Sequence, residues 1–240
     1  MKALILSAGY GTRLYPLTLN IPKALLKIGE RYLIDILMEK LKNLEISEII
    51  VITNNKFYPK FLEWKEAQKL SVGLSILNDN TNSPEERLGA VGDIEFAIDN
   101  KSIDEDLLVL GSDNLFSWSL EEFCNFSLSE GKPVVGLFDV KNRERAKKFG
   151  IAVLEGKVIV DFLEKPQSPP ATLAGTCIYF FPRHSFVWIK EYSLLYDKDT
   201  TGQYITWLCK KTQVLGYEFK GDWLDIGHKD ALVEAQNLFS

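Results

Sequence analysis

The chain is poor in the side chains on which many enzymes depend. Its 240 residues hold two histidines, His184 and His228, and three cysteines, Cys124, Cys177 and Cys209. The cysteines are odd in number and dispersed, so they give neither a disulfide framework nor a zinc-ligand spacing. Reduced thiols in a cytoplasmic protein are the expectation. With so few histidines, no Ser/His/Asp or Cys/His arrangement stands out. No apolar run approaches the ~18 residues of a membrane span. The opening MKALILSAGYGTRL is broken by Gly9, Gly11 and Arg13, which argues against a signal peptide. Positive charge is also in deficit: 28 Lys and Arg face 33 Asp and Glu, net −5. General nucleic-acid binding is therefore disfavoured, although a local phosphate site is not. There is no Ser/Gly linker, charge block or internal repeat, and PQSPPA at Pro166–Ala171 reads as one exposed loop.

What is present suffices for a large core. Hydrophobic residues are 46% and charged residues 25%, which excludes a disordered chain. A folded chain of 27.3 kDa exposes about 11,000 Å² against roughly 40,000 Å² when extended. Strands are expected at Lys2–Ser7, Glu48–Thr53, Leu74–Leu77, Leu107–Leu110 and Val134–Phe138. Helical spacing marks Leu33–Leu44, Phe57–Leu70, Val91–Ile98 and Leu120–Ser129, the last behind Ser119 as N-cap. This alternation predicts an α/β fold with a mostly parallel sheet under helices on both faces. From about residue 139 the pattern turns mixed α+β. Glu155-Gly156-Lys157 signals a hairpin, Leu173–Phe181 a strand, and Ser185–Leu195, Gln203–Lys211 and His228–Phe239 helices. One domain over 1–240, with halves of about 1–138 and 139–240 sharing a sheet, is the simplest organisation.

The most informative stretch is Leu6–Ile28, LSAGYGTRLYPLTLNIPKALLKI. Ala8, Gly9, Gly11 and Thr12 leave a buried-type strand at the sheet edge where α/β proteins bind ligands. Glycines there allow positive φ and close approach of backbone N–H groups to a phosphate. Arg13 and Lys23 add two cations. A sharp turn with surface cations is the bland alternative. A dinucleotide fingerprint is a second, but Leu14 holds its third glycine position, and Pro16 and Pro22 are expected to keep the segment extended. A Walker A loop is absent.

Taken together, Gly9-x-Gly11-Thr12-Arg13-Leu14-x-Pro16-Leu17-Thr18 and Pro22-Lys23-x-Leu25-Leu26 resemble the opening signature of the sugar-1-phosphate nucleotidyltransferases. Later motifs extend the resemblance over nearly the whole chain. It implies a Rossmann-like, nucleotide-binding three-layer sandwich with a mixed α+β sugar-binding part.

Three further motifs follow. Asp113, in Gly111-Ser112-Asp113-Asn114, sits past a buried strand and suits Mg²⁺ or a simple turn equally. Asp225, in Gly221-Asp222-Trp223-Leu224-Asp225-Ile226-Gly227, lies in an aromatic-apolar run where a carboxylate needs partners. Phe162-Leu163-Glu164-Lys165-Pro166 closes a strand, and its charges alone read as an ordinary strand end. The resemblance implies that Asp113 and Asp225 hold Mg²⁺, Glu164 touches sugar hydroxyls and Lys165 the sugar phosphate. It also places Gly150 beside the sugar and Gly89, in Arg87-Leu88-Gly89-Ala90, at the base. Two departures are Gly175, where many members carry Asn, and the inserted Ser112. No β-helix appendage is expected after Gly227.

The implied partners are an NTP and a sugar 1-phosphate, without nucleic acid or membrane, and the implied cofactor is Mg²⁺. The acceptor phosphate is already anionic, so no general base is needed, which suits a histidine-poor chain. Arg13, Lys23 and Lys165 are then the catalytic cations. Three rivals stand beside this reading. One is an NAD-dependent oxidoreductase with Glu30 as its ribose acid, and one a non-catalytic nucleotide sensor. The third is the same chemistry on another phosphorylated acceptor such as phosphocholine. A homo-oligomer is an open expectation; Phe116–Trp118 and Phe186–Trp188 would form a contact or pack in the core.

Overall fold

The computed structural model describes residues 1–239. Its elements run β1 (Lys2–Leu6), β2 (Lys27–Ile28), β3 (Arg31–Tyr32), α1 (Leu33–Glu39), β4 (Glu48–Thr53), α2 (Tyr58–Glu66), β5 (Gly73–Asn78), α3 (Ala90–Asn100) and β6 (Leu107–Gly111). They continue with β7 (Asn114–Phe116), α4 (Glu121–Glu130), β8 (Val134–Asp139), α5 (Arg143–Ala146), β9 (Gly150–Glu155), β10 (Val158–Glu164) and β11 (Leu173–Phe181). The last are α6 (Phe186–Leu195), α7 (Thr201–Leu208), β12 (Leu215–Phe219), β13 (Trp223–Asp225) and α8 (Lys229–Phe239).

Nine strands from both halves form one sheet in the order β5-β4-β1-β6-β11-β8-β12-β10-β9. The β5, β4, β1 and β6 strands are mutually parallel. Beyond them β11 runs antiparallel to β6 and β8, β12 is parallel to β8, and β10 and β9 close the edge antiparallel. A mostly parallel sheet therefore describes the first half only. The reason lies in the connections: β9 and β10 are joined by a two-residue turn with Gly156 at φ 60°, and such a hairpin forces antiparallel pairing.

Period-two alternation along the strands feeds two cores. Ala3, Ile5, Ile49 and Val51 pack with α1, α2 and α4, where Leu37, Phe61 and Phe123 are buried. Leu4, Ile50, Ile52 and Val109 face the other way, onto Ile94 of α3, Ile189 of α6 and Tyr204 of α7. Phe116, Trp118 and Phe186 are core residues rather than a surface contact. The accessible surface is 11014 Å², matching the expectation from mass.

A separate two-stranded ribbon of β7 and β13 pairs Asn114 with Asp225, Leu115 with Leu224 and Phe116 with Trp223. It rests on a third small core of Ile28, Leu33, Ile36, Ala231 and Ala235, supplied by β2, α1 and α8. That ribbon carries one of the expected acids. Three residues of strand after Asp113 were too short to announce themselves in the sequence.

Pro16 and Pro22 do not keep residues 9–26 extended. Thr12–Leu14 and Lys23–Leu25 form 3-10 turns, and Leu17 and Leu19 donate back to the carbonyls of Leu14 and Pro16 at 3.0 and 3.1 Å. Proline restricts chiefly the residue before it, and Tyr15 is indeed extended at φ −56°, ψ 142°. The residues between the prolines remain free to turn.

Candidate active site

The parallel register of β1 and β6 aligns Leu6 with Gly111, so both strands deliver their carboxyl ends to one place. The Ser112 N–H donates to the Leu6 carbonyl at 3.1 Å, and its hydroxyl donates to Ser7 Oγ at 3.2 Å. This inserted serine therefore ties the Asp113 loop to the glycine turn. Gly11 adopts φ 63°, and the Thr18 hydroxyl donates to its carbonyl at 2.7 Å, closing the turn on itself. Asn54 Nδ2 donates to the Ala8 carbonyl at 2.7 Å. Ala8 is thereby buried and committed to the scaffold.

Two cavities open side by side at this edge. The first, of about 520 Å³, is lined by Gly9, Gly11, Thr12, Arg13, Lys23 and Asp113 among others. The second, of about 330 Å³, is lined by Gly150, Glu164, Lys165, Gly175, Thr201 and Asp225. Arg13, Ala90, Asp113, Cys177 and Asp199 belong to both. Glycine-turn cations thus stand on one side of Asp113 and the Glu164-Lys165 pair on the other. Ala8 and Gly89 line neither. Gly89, at φ 79°, uses its freedom for packing instead, because a Cβ there would overlap the Lys198–Asp199 main chain.

The β7–β13 ribbon is what brings the two acids together. Ile226 donates its N–H to the Asp113 carbonyl at 2.9 Å, and Trp223 Nε1 donates to Asn114 Oδ1 at 2.8 Å. Lys23 Nζ lies 2.7 Å from Asp113 Oδ2, and Asn114 Nδ2 donates to Asp113 Oδ1 at 2.9 Å. Burial would raise the Asp113 carboxyl, but the Lys23 ammonium and the Arg13 guanidinium outweigh it and hold it below its ordinary value. Asp225 goes the other way. Burial and the Asp113 charge push it up to about 6. Arg13 closes no ion pair among the described residues; its Nη1 would lie 3.7 Å from a Cβ on Gly227, the residue two beyond Asp225.

This donor set suits one kind of metal. Two carboxylates close enough for the charge of one to raise the other, both lining the cavity of about 330 Å³, are compatible with Mg²⁺, which takes one or two carboxylates and completes its shell with phosphate oxygens and water. Among the described residues no group of three or more His, Cys, Asp or Glu is placed to hold a metal ion, so protein carboxylates alone would supply two ligands here.

On the acceptor side, Glu164 is wedged between two glycines. A Cβ on Gly202 would overlap its carboxylate, and one on Gly150 would come 3.0 Å from Oε2. Lys165 Nζ pairs with Glu164 Oε1 at 3.3 Å. Its backbone is left-handed at φ 45°, a conformation that costs on the order of 1–3 kcal/mol for a residue before proline. The Lys165 N–H donates to the Phe149 carbonyl at 3.1 Å, which holds the turn there. A helical geometry is avoided, as Pro166 requires, but the alternative taken is not the extended one.

Sequence reasoning overlooked Cys177, Asp199, Thr201 and Gly202. Cys177 sits at φ 55° where β11 shifts register against β8, so its thiol projects between the two cavities. Burial, then Asp113 and Asp225, push that thiol well up, and it stands there neutral. Nothing in a one-dimensional pattern announces such a bulge. The Asp199-Thr200-Thr201-Gly202 run does carry a helix-start signal in sequence, and α7 begins two residues earlier than expected, although the Thr200 side chain makes no capping hydrogen bond. Glu30, the ribose acid of the oxidoreductase rival, is an exposed turn residue between β2 and β3, outside both cavities.

Comparison with known proteins places this architecture. Residues 2–240 match the family model described as nucleotidyl transferase, and the chain belongs to that family. Among its relatives is the bifunctional protein GlmU of Methanocaldococcus jannaschii, 29% identical over 243 residues, covering 98% of this chain and 53% of that protein. Another is the mannose-1-phosphate guanylyltransferase catalytic subunit beta of Xenopus tropicalis, 30% identical over 236 residues, covering 97% and 63%. A solved structure from Bacillus anthracis, described as a "Putative Glucose-1-Phosphate Thymidylyltransferase" in complex with a sucrose, superimposes with a TM-score of 0.86. It is 26% identical and covers 99% of this chain and 94% of that one. The chain spans about half to two-thirds of the length of these curated relatives. No described helix is long and apolar enough to cross a membrane.

Proposed function

We propose that the protein transfers a nucleoside monophosphate from an NTP to a sugar 1-phosphate, giving an NDP-sugar and pyrophosphate. The observation that carries this reading is the junction of two cavities at Arg13 and Asp113, with the glycine turn and Lys23 on one side and Glu164 and Lys165 on the other. Two of the similar proteins are described as a mannose-1-phosphate guanylyltransferase subunit and a putative glucose-1-phosphate thymidylyltransferase, which supports a sugar 1-phosphate as the acceptor class here.

In this reaction an oxygen of the acceptor phosphate forms a bond to the α-phosphorus of the NTP. The bond from that phosphorus to the bridging oxygen breaks, and pyrophosphate leaves with the electron pair. No proton has to move. The difficulty is electrostatic, since two anions meet and a third departs, so positioning and charge stabilisation dominate. Backbone N–H groups of Gly9–Thr12 and the Arg13 guanidinium receive the departing pyrophosphate. Lys23 is drawn from Asp113 toward the α-phosphate. Lys165 holds the acceptor phosphate, while Glu164, fixed by Gly150 and Gly202, accepts from its hydroxyls. Asp113 and Asp225 are the residues that would hold Mg²⁺, which would supply Lewis-acid neutralisation of phosphate oxygens.

The test is a pyrophosphate-release screen crossing the common NTPs with a panel of sugar 1-phosphates and phosphorylated alcohols. Turnover confined to sugar 1-phosphates supports the proposal. Turnover with phosphocholine alone reassigns the acceptor, and no release with any pair overturns the reading.

A further inference from the structure

Arg87 and Asp199 close an ion pair across the nucleotide-side cavity, both lining it. Arg87 Nε donates to Asp199 Oδ1 at 2.8 Å and Nη2 to Oδ2 at 3.1 Å, a bidentate fork. Nη1 donates to the Pro84 carbonyl at 3.1 Å, which fixes the plane of the guanidinium. The main chain beside the fork is equally tied. Ala90 and Val91, the first residues of α3, donate their N–H groups to the carbonyls of Asp199 and Lys198 at 3.1 and 3.0 Å. The side-chain-free face of Gly89 makes room for that approach. The segment leading into α7 is therefore docked onto the helix that borders the nucleotide cavity.

What Asp199 does there needs an explanation. It lines both cavities, between a site for a triphosphate and a site for an acceptor phosphate. An unpaired carboxylate at that junction would repel both substrates. Two and three residues further on, Thr201 and Gly202 form the wall against which Glu164 is held. Whatever fixes Asp199 thus fixes one side of the acceptor site as well.

Resting on the nucleotidyl-transfer reading, we propose that Arg87 is a positioning residue acting through Asp199. Its guanidinium neutralises the carboxylate that lines both cavities, while the main-chain bonds from Ala90 and Val91 hold the 198–199 segment in place.

The experiment compares wild type with Arg87→Ala, Arg87→Lys, Asp199→Asn and the double variant Arg87→Ala/Asp199→Asn. Arg87→Ala is expected to raise KM for both NTP and acceptor about three- to fivefold, the upper end for one exposed pair, with kcat within about threefold. Arg87→Lys keeps the charge without the fork and falls between. The decisive arm is rescue: the double variant returns both KM values to within about twofold of wild type, because the repelling carboxylate is gone. The defect of Arg87→Ala shrinks toward wild type at about 0.5 M salt, where a half-exposed carboxylate is screened. A merely structural clasp would leave the double variant as impaired as Arg87→Ala, and unchanged KM in Arg87→Ala would equally overturn the proposal. Calorimetric titration with inorganic triphosphate gives the same comparison without turnover. If wild type releases no pyrophosphate with any pair yet binds triphosphate, the reaction assignment fails while the titration still decides the role of Arg87. Absence of triphosphate binding to wild type overturns both.

Discussion

Lys23→Ala removes the cation nearest the two acids, and its consequences can be worked from the geometry. At 2.7 Å the Lys23–Asp113 pair has a gross attraction of about 6 kcal/mol at an effective dielectric constant of 20. Much of this is offset by the cost of taking both groups out of water. Breaking a fully buried pair by removing one partner costs about 3–5 kcal/mol. Lys23 and Asp113 side chains keep 15% and 29% of their exposure, so a loss of about 2–3 kcal/mol is expected in metal-free buffer. In urea this moves the unfolding midpoint down by about 1 M. Asp113 loses its counterion while Asp225 stays beside it, so added Mg²⁺ should recover part of the loss in the variant and little in wild type. Turnover should fall on the order of 10²–10³. Equilibrium unfolding of Lys23→Ala, Asp113→Asn and the double variant, with and without Mg²⁺, makes the check. An unshifted midpoint in Lys23→Ala, or strictly additive single variants, would refute the reasoning.

Lys165→Ala should raise KM for the acceptor at least tenfold more than KM for the NTP in steady-state kinetics; equal effects on both would contradict its place on the acceptor side. Gly202→Ala puts a methyl group into the space of the Glu164 carboxylate, so acceptor KM should rise about tenfold or more with folding intact by circular dichroism. Glu48 tests the scaffold independently of the site. Lys2, Ser75 and Lys101 overcome its burial and lower its carboxyl from 4.5 to about 2. A depressed pKa stabilises the fold above 4.5 and loses that contribution as pH falls toward 2, on the order of 1 kcal/mol once screening of the partly solvated lysine pairs is counted. Glu48→Gln should therefore be destabilised at pH 7 and approach wild type near pH 2 in denaturant titrations; a constant difference across that range would contradict the assignment.

Much of this was legible in the sequence because the physics was local. Glu48–Thr53 and Leu173–Phe181 have the bounds expected from their apolar runs, and Gly156 turned its hairpin as its backbone freedom demanded. Gly9, Gly11, Arg13 and Lys23 fell together because they lie within one short stretch at the end of β1. Asp113 and Asp225 are 112 positions apart, and only the family resemblance joined them. The ribbon that does so is three residues wide on each strand, below what a hydrophobic pattern resolves. Gly89 had the right feature and a different use: its missing side chain admits the 198–199 main chain. Cys177 and Lys165 adopt left-handed backbone conformations that their residue types disfavour, so tertiary constraint outweighed local preference at both. The sheet turned mixed in its second half, where a tight hairpin joins β9 to β10 and β11 enters antiparallel between β6 and β8.

The central claim is that phosphorus of the NTP passes from the glycine-turn cavity to an anion held by Lys165. Following label from [α-³²P]- and [γ-³²P]-labelled NTP, with the acceptor found by the screen, tests it most directly. The α label should appear in the sugar-linked product and the γ label wholly in pyrophosphate. Transfer of the γ label to the acceptor, or release of the α label as free monophosphate, would contradict the account.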